Sequence, residues 1–272
     1  MLEYYDILLL FLAGCIAGTI SGLLGVGGGI INVAILTYYF DKSGISSIEL
    51  TRFVLSNSFL AIFFSSVFGS IQQYRMNNFH LKEVLLLAST TITLSFLVSF
   101  IILEFNWYSR ERFTVFFVLI LTGLIIKMAL NIRSKTKSEF LEKISMKHYP
   151  LTGIFTGIFS ALSGLGGGVI TVPVLSDIHK LRIKKATSIS LGVMPLMALF
   201  NTLIYGLYHN TSFSEMTIGY IKPDITIPLV IGVILFAPLG VKLASTVSDK
   251  LIRLIFVIIV TLVIFKMIYS LI

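Results

Sequence analysis

Residues 22–29 read GLLGVGGG and residues 164–168 read GLGGG, and these two stretches decide how the chain folds. They interrupt two long uncharged runs, residues 7–40 and 149–176. As straight helices these runs would be about 51 Å and about 42 Å long, against a bilayer hydrocarbon core of about 30 Å. Each glycine weakens a helix by roughly 1 kcal/mol relative to alanine. We therefore expect both runs to break at the glycines.

The two glycine stretches belong to an internal repeat with an offset of 139 residues. When residues 14–36 are laid on residues 153–175, 11 of 23 positions are identical without a gap. A general bias toward apolar residues would not superpose so many glycines. The sequence therefore indicates a duplication, with a first unit at 7–131 and a second unit at 150–271.

The composition is typical of a chain whose surface faces lipid. Charged residues make up 12% of the sequence and hydrophobic residues 56%, whereas a soluble domain has about 25% charged residues. Eight runs lack Asp, Glu, Lys and Arg: 7–40, 53–71, 84–103, 113–126, 149–176, 186–208, 225–241 and 254–265. Helices are expected, because the alternating polar pattern of a barrel is absent. We predict an all-α polytopic membrane protein with two repeats of four membrane segments.

Loop charges favour a re-entrant path for the two broken runs. If all eight segments crossed, the 21 Lys and Arg residues would divide 10 to 11, contrary to the positive-inside rule. If runs 7–40 and 149–176 fold back as hairpins, the same residues divide 15 to 6. The richer side would be cytoplasmic and would include the linker 132–148, with both termini outside. Three crossings per unit would turn the second unit upside down and make an inverted repeat.

A helix that restarts after each glycine stretch would offer a site for an anion. The first N–H groups of a helix lack intrahelical partners and carry partial positive charge, and glycine lets an anion approach the backbone. In an inverted pair the two helix starts would converge. The candidate binding residues are Gly25, Gly27, Gly28, Gly29, Asn32, Ser163, Gly164, Gly166, Gly167, Gly168 and Thr171. Close helix packing is the alternative role of such glycines, and it is the role expected of Gly14, Gly18, Gly153 and Gly157.

Other polar residues of the apolar runs are candidates for lining an anion pathway, namely Ser21, Ser160, Asn57, Thr187, Ser188 and Asn201. Hydrogen bonding between helices would explain them about equally well. The sequence has no metal-ligand spacing, P-loop or HExxH motif, so we expect no metal, no cofactor and no enzyme activity. The net charge of +8 comes from short loops, which the positive-inside rule explains without a nucleic-acid partner.

Four stretches carry a family resemblance. They are GTISGLLGVGGGIINVAIL at 18–36, GIFSALSGLGGGVITVPVL at 157–175, KKATSIS at 184–190 and FAPLGVKLASTVSDKLIRLIFVIIV at 236–260. Together they resemble the TauE/SafE family of membrane transporters. The resemblance implies transport of a small sulfur-containing or organic anion in a bacterial inner membrane, without fixing the direction. We expect a secondary transporter that exports an anion such as sulfite or a sulfonate by alternating access around the two glycine breaks, because an inside-negative membrane potential drives anions outward. An anion channel of the same architecture and an importer of a related organic acid stay open as alternatives, and the sequence leaves the oligomeric state undetermined.

Overall fold

A computed structural model of the chain describes residues 4–41, 46–105, 144–208 and 217–269, together with residues 118, 119, 122, 123, 125, 126, 130 and 141. Most of the run at 113–126 and most of the linker at 132–148 lie outside the described residues. Within the described part, five helices are long and apolar enough to cross a membrane. This agrees with the predicted all-α polytopic membrane fold.

Nine α-helices follow one another along the described part of the chain. They are α1 (Tyr4–Leu24), α2 (Gly29–Asp41), α3 (Ser47–Arg75), α4 (Leu81–Glu104), α5 (His148–Ser163), α6 (Gly168–Pro173), α7 (Ile183–Leu207), α8 (Pro223–Thr246) and α9 (Asp249–Tyr269). A π-helical segment, Val174–Ile178, continues α6 directly. The sequence of long helix, break, short helix and two long helices occurs twice, so that α1–α4 correspond to α5–α8.

Both long runs break at the predicted glycines. After α1, Gly25 adopts a φ of +70°, and after α5, Gly164 adopts a φ of +63°. The N–H of each glycine donates to the carbonyl of the serine four residues earlier, Ser21 at 2.8 Å and Ser160 at 2.9 Å. A left-handed residue here ends a helix and favours glycine. The predicted helix breaks are therefore confirmed.

After each break the chain folds back along the helix it has left. At the base of the first hairpin, which α1 and α2 form, the Tyr39 hydroxyl donates to Asp6 Oδ1 at 3.0 Å. At the base of the second, which α5, α6 and the π-helical segment form, the rings of His148 and His179 lie 4.5 Å apart between centroids. Straight helices would separate the members of each pair by roughly 45 Å or more. Both runs therefore fold back as hairpins and do not continue as straight helices.

The bases of the two hairpins lie at opposite ends of α4. Tyr39, at the base of the first hairpin, shares a buried apolar cluster with Leu103 at the end of α4. At the base of the second hairpin, Tyr149 and Leu175 share a different cluster with Val84 at the start of α4. Since α4 is about 36 Å long, it is long enough to span a bilayer. The two hairpins thus point toward each other from opposite ends of the fold.

Each hairpin packs against a long helix of the other unit. Gly14, Gly18 and Gly22 of α1 face Leu229, Val233 and Ala237 of α8 in that order, so the two helices run parallel. A Cβ on Gly14 would lie 2.2 Å from the Leu229 carbonyl oxygen. In the same way α5 runs beside α4, where a Cβ on Gly157 would lie 2.6 Å from the Thr91 carbonyl oxygen. The close-packing role predicted for these small residues is confirmed.

The outer surface of the long helices is apolar. Large side chains such as Leu203 on α7 and Leu235 on α8 are exposed, while many serines, threonines and asparagines of the same helices are buried. This distribution suits a lipid solvent, because apolar side chains may face the hydrocarbon and polar groups have to be satisfied inside the protein.

Candidate functional site

The two glycine loops, residues 25–28 and 164–167, touch each other inside the protein. A Cβ added to Gly29 would lie 2.2 Å from the carbonyl oxygen of Leu165. One added to Gly168 would lie 2.0 Å from the carbonyl oxygen of Gly25. All residues of both loops are buried. The structure therefore brings together the two sets of glycines that the sequence singles out, one from each unit.

The loops meet at the middle of the two helices that pass beside them. Ile62 is near the midpoint of α3, and Met194 is near the midpoint of α7. A Cβ on Gly27 would lie 2.8 Å from Met194 Sδ and 3.1 Å from Ile62 Cγ2, and one on Gly166 would lie 3.3 Å from Ile62 Cδ1. Because α3 and α7 are both long enough to cross a membrane, the loops lie at about half the depth of the fold.

Two serine hydroxyls hold the loops in a reciprocal way. Ser190 on α7 of the second unit donates to the Gly25 carbonyl of the first loop at 2.7 Å. Ser58 on α3 of the first unit donates to the Gly164 carbonyl of the second loop at 2.6 Å. Ser190 is, from the sequence, one of the polar residues of run 186–208 that could line a pathway, whereas Ser58 is absent from the predicted candidates. The signal that could have found Ser58 is the shared spacing in S-N-S at 56–58 and S-I-S at 188–190.

Helices α2 and α6 begin at the loops, as predicted. The Asn32 N–H donates to the Gly28 carbonyl at 3.1 Å, and the Thr171 N–H donates to the Gly167 carbonyl at 2.9 Å. The N–H groups that precede Asn32 and Thr171 belong to the first helical turn, where most lack intrahelical acceptors and carry partial positive charge. The starts of α2 and α6 thus lie together in one buried region, and helix N-termini are places where proteins bind anions.

Asn32 and Thr171 occupy equivalent positions but differ in their bonding. The Thr171 hydroxyl lies 2.8 Å from the Thr156 hydroxyl. The counterpart of Thr156 in the first unit is Ala17, which offers no polar side chain. Both Oδ1 and Nδ2 of Asn32 are buried without a hydrogen-bond partner among the described residues. A buried polar group without a partner costs about 1–3 kcal/mol, so a ligand that pairs with this amide would gain that free energy on binding.

The three predicted serines beside the loops have different surroundings. Ser21 donates to Ser65 at 3.2 Å, and Ser65 donates to the Gly27 carbonyl at 3.0 Å. Ser163 accepts a hydrogen bond from an N–H of its own loop. The Ser160 hydroxyl is buried and has no partner among the described residues. Ser160 is therefore a second unsatisfied polar group near the loops.

Three predicted pathway residues join helices. Asn57 on α3 donates to the Tyr220 carbonyl just before α8 at 2.9 Å. Asn201 on α7 donates to the Ser95 hydroxyl on α4 at 2.7 Å. Ser188 donates to a carbonyl in the turn between α3 and α4. These bonds match the second of the two roles that the sequence left open, hydrogen bonding between helices.

Thr187, the fourth pathway residue, lies between the first loop and a cavity of about 230 Å³. A Cβ on Gly25 would lie 2.7 Å from Thr187 Cα. The cavity is lined by Gln73, Met76, Asn78, Lys184, Thr187, Val241, Ala244 and Ser245. It therefore extends from the end of α3 and the end of α8 to a residue that touches the loop.

Beside the second loop, an apolar side chain occupies the position that corresponds to Thr187 beside the first loop. A Cβ on Gly164 would lie 2.6 Å from Leu55 Cδ2, so an apolar side chain stands where the first loop has Thr187. Leu55 belongs to a buried cluster with Phe53, Tyr205 and Tyr220, and the rings of Phe53 and Tyr220 meet edge to face at 5.2 Å. Large apolar side chains thus pack beside the second loop, on the side that corresponds to Thr187.

A buried ion pair fixes the base of the second hairpin. Arg253 on α9 pairs with Asp177 of the π-helical segment, and their side chains are 7% and 2% exposed. Ser176 also donates to Asp177 at 2.7 Å. The sequence predicts Arg253 to be one of the cytoplasmic loop charges and predicts no role for Asp177, because both residues lie just beyond the ends of uncharged runs.

The fold and the paired loops define a polytopic membrane protein with two helical hairpins whose glycine loops meet inside it. The family model described as "Sulfite exporter TauE/SafE" matches residues 10–267. The chain therefore belongs to the TauE/SafE family of membrane transporters, as the four sequence stretches indicate.

Proteins named as probable membrane transporters are similar to this chain over most of its length. One from Methanocaldococcus jannaschii is 29% identical over 253 residues, which cover 90% of this chain and 89% of that protein. One from Haemophilus influenzae is 26% identical over 249 residues, or 90% of each chain. One from Bacillus subtilis is 22% identical over 275 residues, which cover 96% of this chain and 97% of that protein. These similarities support a transporter role.

Proposed function

We propose that the protein is a secondary transporter that exports a small sulfur-containing or organic anion, such as sulfite or a sulfonate. The observation that carries this proposal is the contact between the two glycine loops. This contact brings the starts of α2 and α6 together. Asn32, whose buried amide has no hydrogen-bond partner among the described residues, lies in the first turn of α2. Membership of a family described as sulfite exporters supports the anion class.

The site would bind an anion without a charged side chain. A helix N-terminus acts as roughly half a positive charge, so two N-termini facing one position approximately balance a monoanion. The Asn32 amide would add a side-chain donor, and glycine would let the anion reach the backbone N–H groups. Rocking of one helix bundle around the fixed loops would then expose the site to each side of the membrane in turn.

The membrane potential suits export of such an ion. An inside-negative potential of 100 mV drives a single negative charge outward with about 2.3 kcal/mol. Basic loops on the cytoplasmic side would raise the local concentration of the anion. An anion channel of the same architecture predicts flux that does not saturate with substrate. An importer of an organic acid predicts uptake against the electrical gradient with a coupled cation.

We further propose an orientation in a bacterial inner membrane, with the units 7–131 and 150–271 forming an inverted repeat. Both termini lie outside and the linker 132–148 lies in the cytoplasm. In a Cys15→Ala background, Asp41→Cys should react with a membrane-impermeant thiol reagent added to intact cells. Arg182→Cys should react only after the cells are permeabilised, because it follows the hairpin of opposite direction. Reaction of both positions from the same side would contradict the inverted arrangement.

Replacing Asn32 with leucine should separate anion transport from stability. Leucine has a similar volume and removes two unpaired buried polar atoms, so the free energy of unfolding in detergent should rise by about 1–3 kcal/mol. Sulfite efflux from proteoliposomes should fall by at least about tenfold, because a hydrogen bond to a charged ligand contributes about 1.5–3 kcal/mol.

Asn201→Leu is the matched control for this experiment. Asn201 is equally buried, but its amide donates to Ser95 and accepts from Ser99. Its removal should lower the free energy of unfolding by about 1–3 kcal/mol, and the protein that stays folded should still transport. Wild-type sulfite efflux by the Asn32→Leu variant would show that the amide does not bind the anion.

A further inference from the structure

The cavity beside the first loop is lined by a positively charged side chain that no acidic lining residue offsets. Its lining contains one basic residue, Lys184, and no acidic residue. Lys184 Nζ donates to the Ser245 carbonyl at the end of α8 at 3.0 Å. An ammonium group has three N–H donors, and Ser245 takes one of them. The neighbouring Lys185 differs, because it forms an ion pair with Glu83 at 3.1 Å.

When α3 and α7 are aligned on S-N-S at 56–58 and S-I-S at 188–190, the counterpart of Lys184 in the first unit is Arg52, which also lies near the start of its helix. Arg52 also bonds to a helix end, since its Nη2 donates to the Leu103 carbonyl of α4 at 2.7 Å. Its other side is covered, because Nη1 donates to the Tyr220 hydroxyl at 3.2 Å and the guanidinium lies 5.8 Å from the centre of that ring. Both residues therefore cap a helix, and Lys184 in addition lines the cavity.

The cavity leads toward the candidate site. Thr187 is one turn from Lys184 on α7, lines the same cavity and touches Gly25 of the first loop. The cavity lies where α3 ends and α7 begins, which is the end that the loop charges assign to the cytoplasm. An anion that leaves the cavity past Thr187 would reach the glycine loops directly.

We propose that the cavity at Lys184 is a first binding site for the exported anion, an oxyanion or sulfonate, on its way to the glycine loops. The identity of the anion rests on the proposed function, whereas the presence of an anion-selective cavity can be tested without transport. Lys184 attracts the anion, and Thr187 separates this outer site from the loops.

The test uses a cysteine beside Lys184 as a reporter. In a Cys15→Ala background, purified Ser245→Cys is treated with an anionic methanethiosulfonate that carries a sulfonate group, and separately with a cationic one that carries a trimethylammonium group. The two rates are normalised to those of 2-mercaptoethanol. After this normalisation, the anionic reagent should react faster with Ser245→Cys than the cationic reagent does. Lys184→Gln should lower the ratio of the two rates about tenfold, because a nearby unit charge changes the local concentrations of the two reagents in opposite directions.

Two further variants separate charge from helix capping. Lys184→Arg keeps the charge, so it should keep the ratio within about twofold of its starting value. Lys250→Gln removes an exposed lysine at the same end of the protein that does not line the cavity, and it should leave the ratio unchanged. An unchanged ratio in Lys184→Gln would overturn the proposal.

Sulfite efflux distinguishes this proposal from the proposed function. Lys184→Gln should raise the half-saturating sulfite concentration about five- to tenfold and leave the maximal rate near its wild-type value, because the loops are intact. If Lys184→Gln lowered the ratio of the two reaction rates but the wild-type protein transported no sulfite, the result would support the anion cavity and refute the transport of sulfite. If sulfite efflux were normal but the ratio of the two reaction rates did not change in Lys184→Gln, the result would support transport and refute the cavity site.

Discussion

Gly168→Ala should abolish anion efflux while the protein stays folded and inserted. The new Cβ would lie 2.0 Å from the Gly25 carbonyl oxygen and 2.3 Å from Met194 Cε. Methionine can move aside, but the backbone oxygen of the opposite loop cannot do so unless the two loops separate. We expect sulfite efflux from proteoliposomes to fall about a hundredfold or more, which corresponds to roughly 2.8 kcal/mol of lost stabilisation of the transported anion.

Gly69→Ala is the matched control, because Gly69 lies inside α3 and its nearest neighbours are side-chain methyl groups at 3.4 Å and beyond. Alanine is the better helix former by about 1 kcal/mol, so this variant should be at least as stable as the wild type and transport at its rate. If Gly168→Ala transported normally, the contact between the loops would have no part in anion binding.

Removing one partner of the buried ion pair should cause the largest loss of stability. Asp177→Ala removes the carboxylate that pairs with the Arg253 guanidinium, which is 7% exposed. Breaking a buried ion pair by removing one partner costs about 3–5 kcal/mol. The measurement is the free energy of unfolding in detergent. The double variant Asp177→Leu with Arg253→Met should recover most of the loss, since an apolar pair of similar volume removes the unpaired charge.

The ion pair of Lys222 and Asp224 provides the comparison. Its atoms are 3.8 Å apart and the Asp224 side chain is 50% exposed, so Asp224→Ala should change stability by no more than about 1 kcal/mol. If Asp177→Ala and Asp224→Ala lowered the free energy of unfolding by the same amount, burial of the Asp177 ion pair would make no contribution to stability.

The glycine loops could be predicted from the sequence because they depend on local chemistry. Adjacent glycines weaken a helix wherever they stand, and the 139-residue offset identifies the two copies. Whether the Asn32 side chain has a hydrogen-bond partner depends on a residue of another helix. In the second unit the equivalent residue, Thr171, bonds to Thr156. The counterpart of Thr156 in the first unit is Ala17, which has no hydroxyl.

Other parts of the site could not be derived from residue type. Asn57 and Thr187 are both polar residues in or near apolar runs, yet Asn57 joins two helices and Thr187 lines a cavity. In the sequence, a polar residue within an apolar segment looks the same whether it bonds to another helix or lines a cavity. The ion pair of Asp177 and Arg253 joins residues 76 positions apart, and a count of loop charges treats every charge as solvated.

The pairing of α1 with α8 has a consequence for biosynthesis. Gly14 packs on Leu229, which the ribosome adds about 215 residues later, or roughly 10–40 s at ordinary rates of elongation. During that interval α1 lacks α8, its main packing partner. Neither half of the chain contains both α1 and α8, or both α4 and α5. We expect either half expressed alone to be degraded, and the two halves expressed together as separate chains to assemble into a working protein.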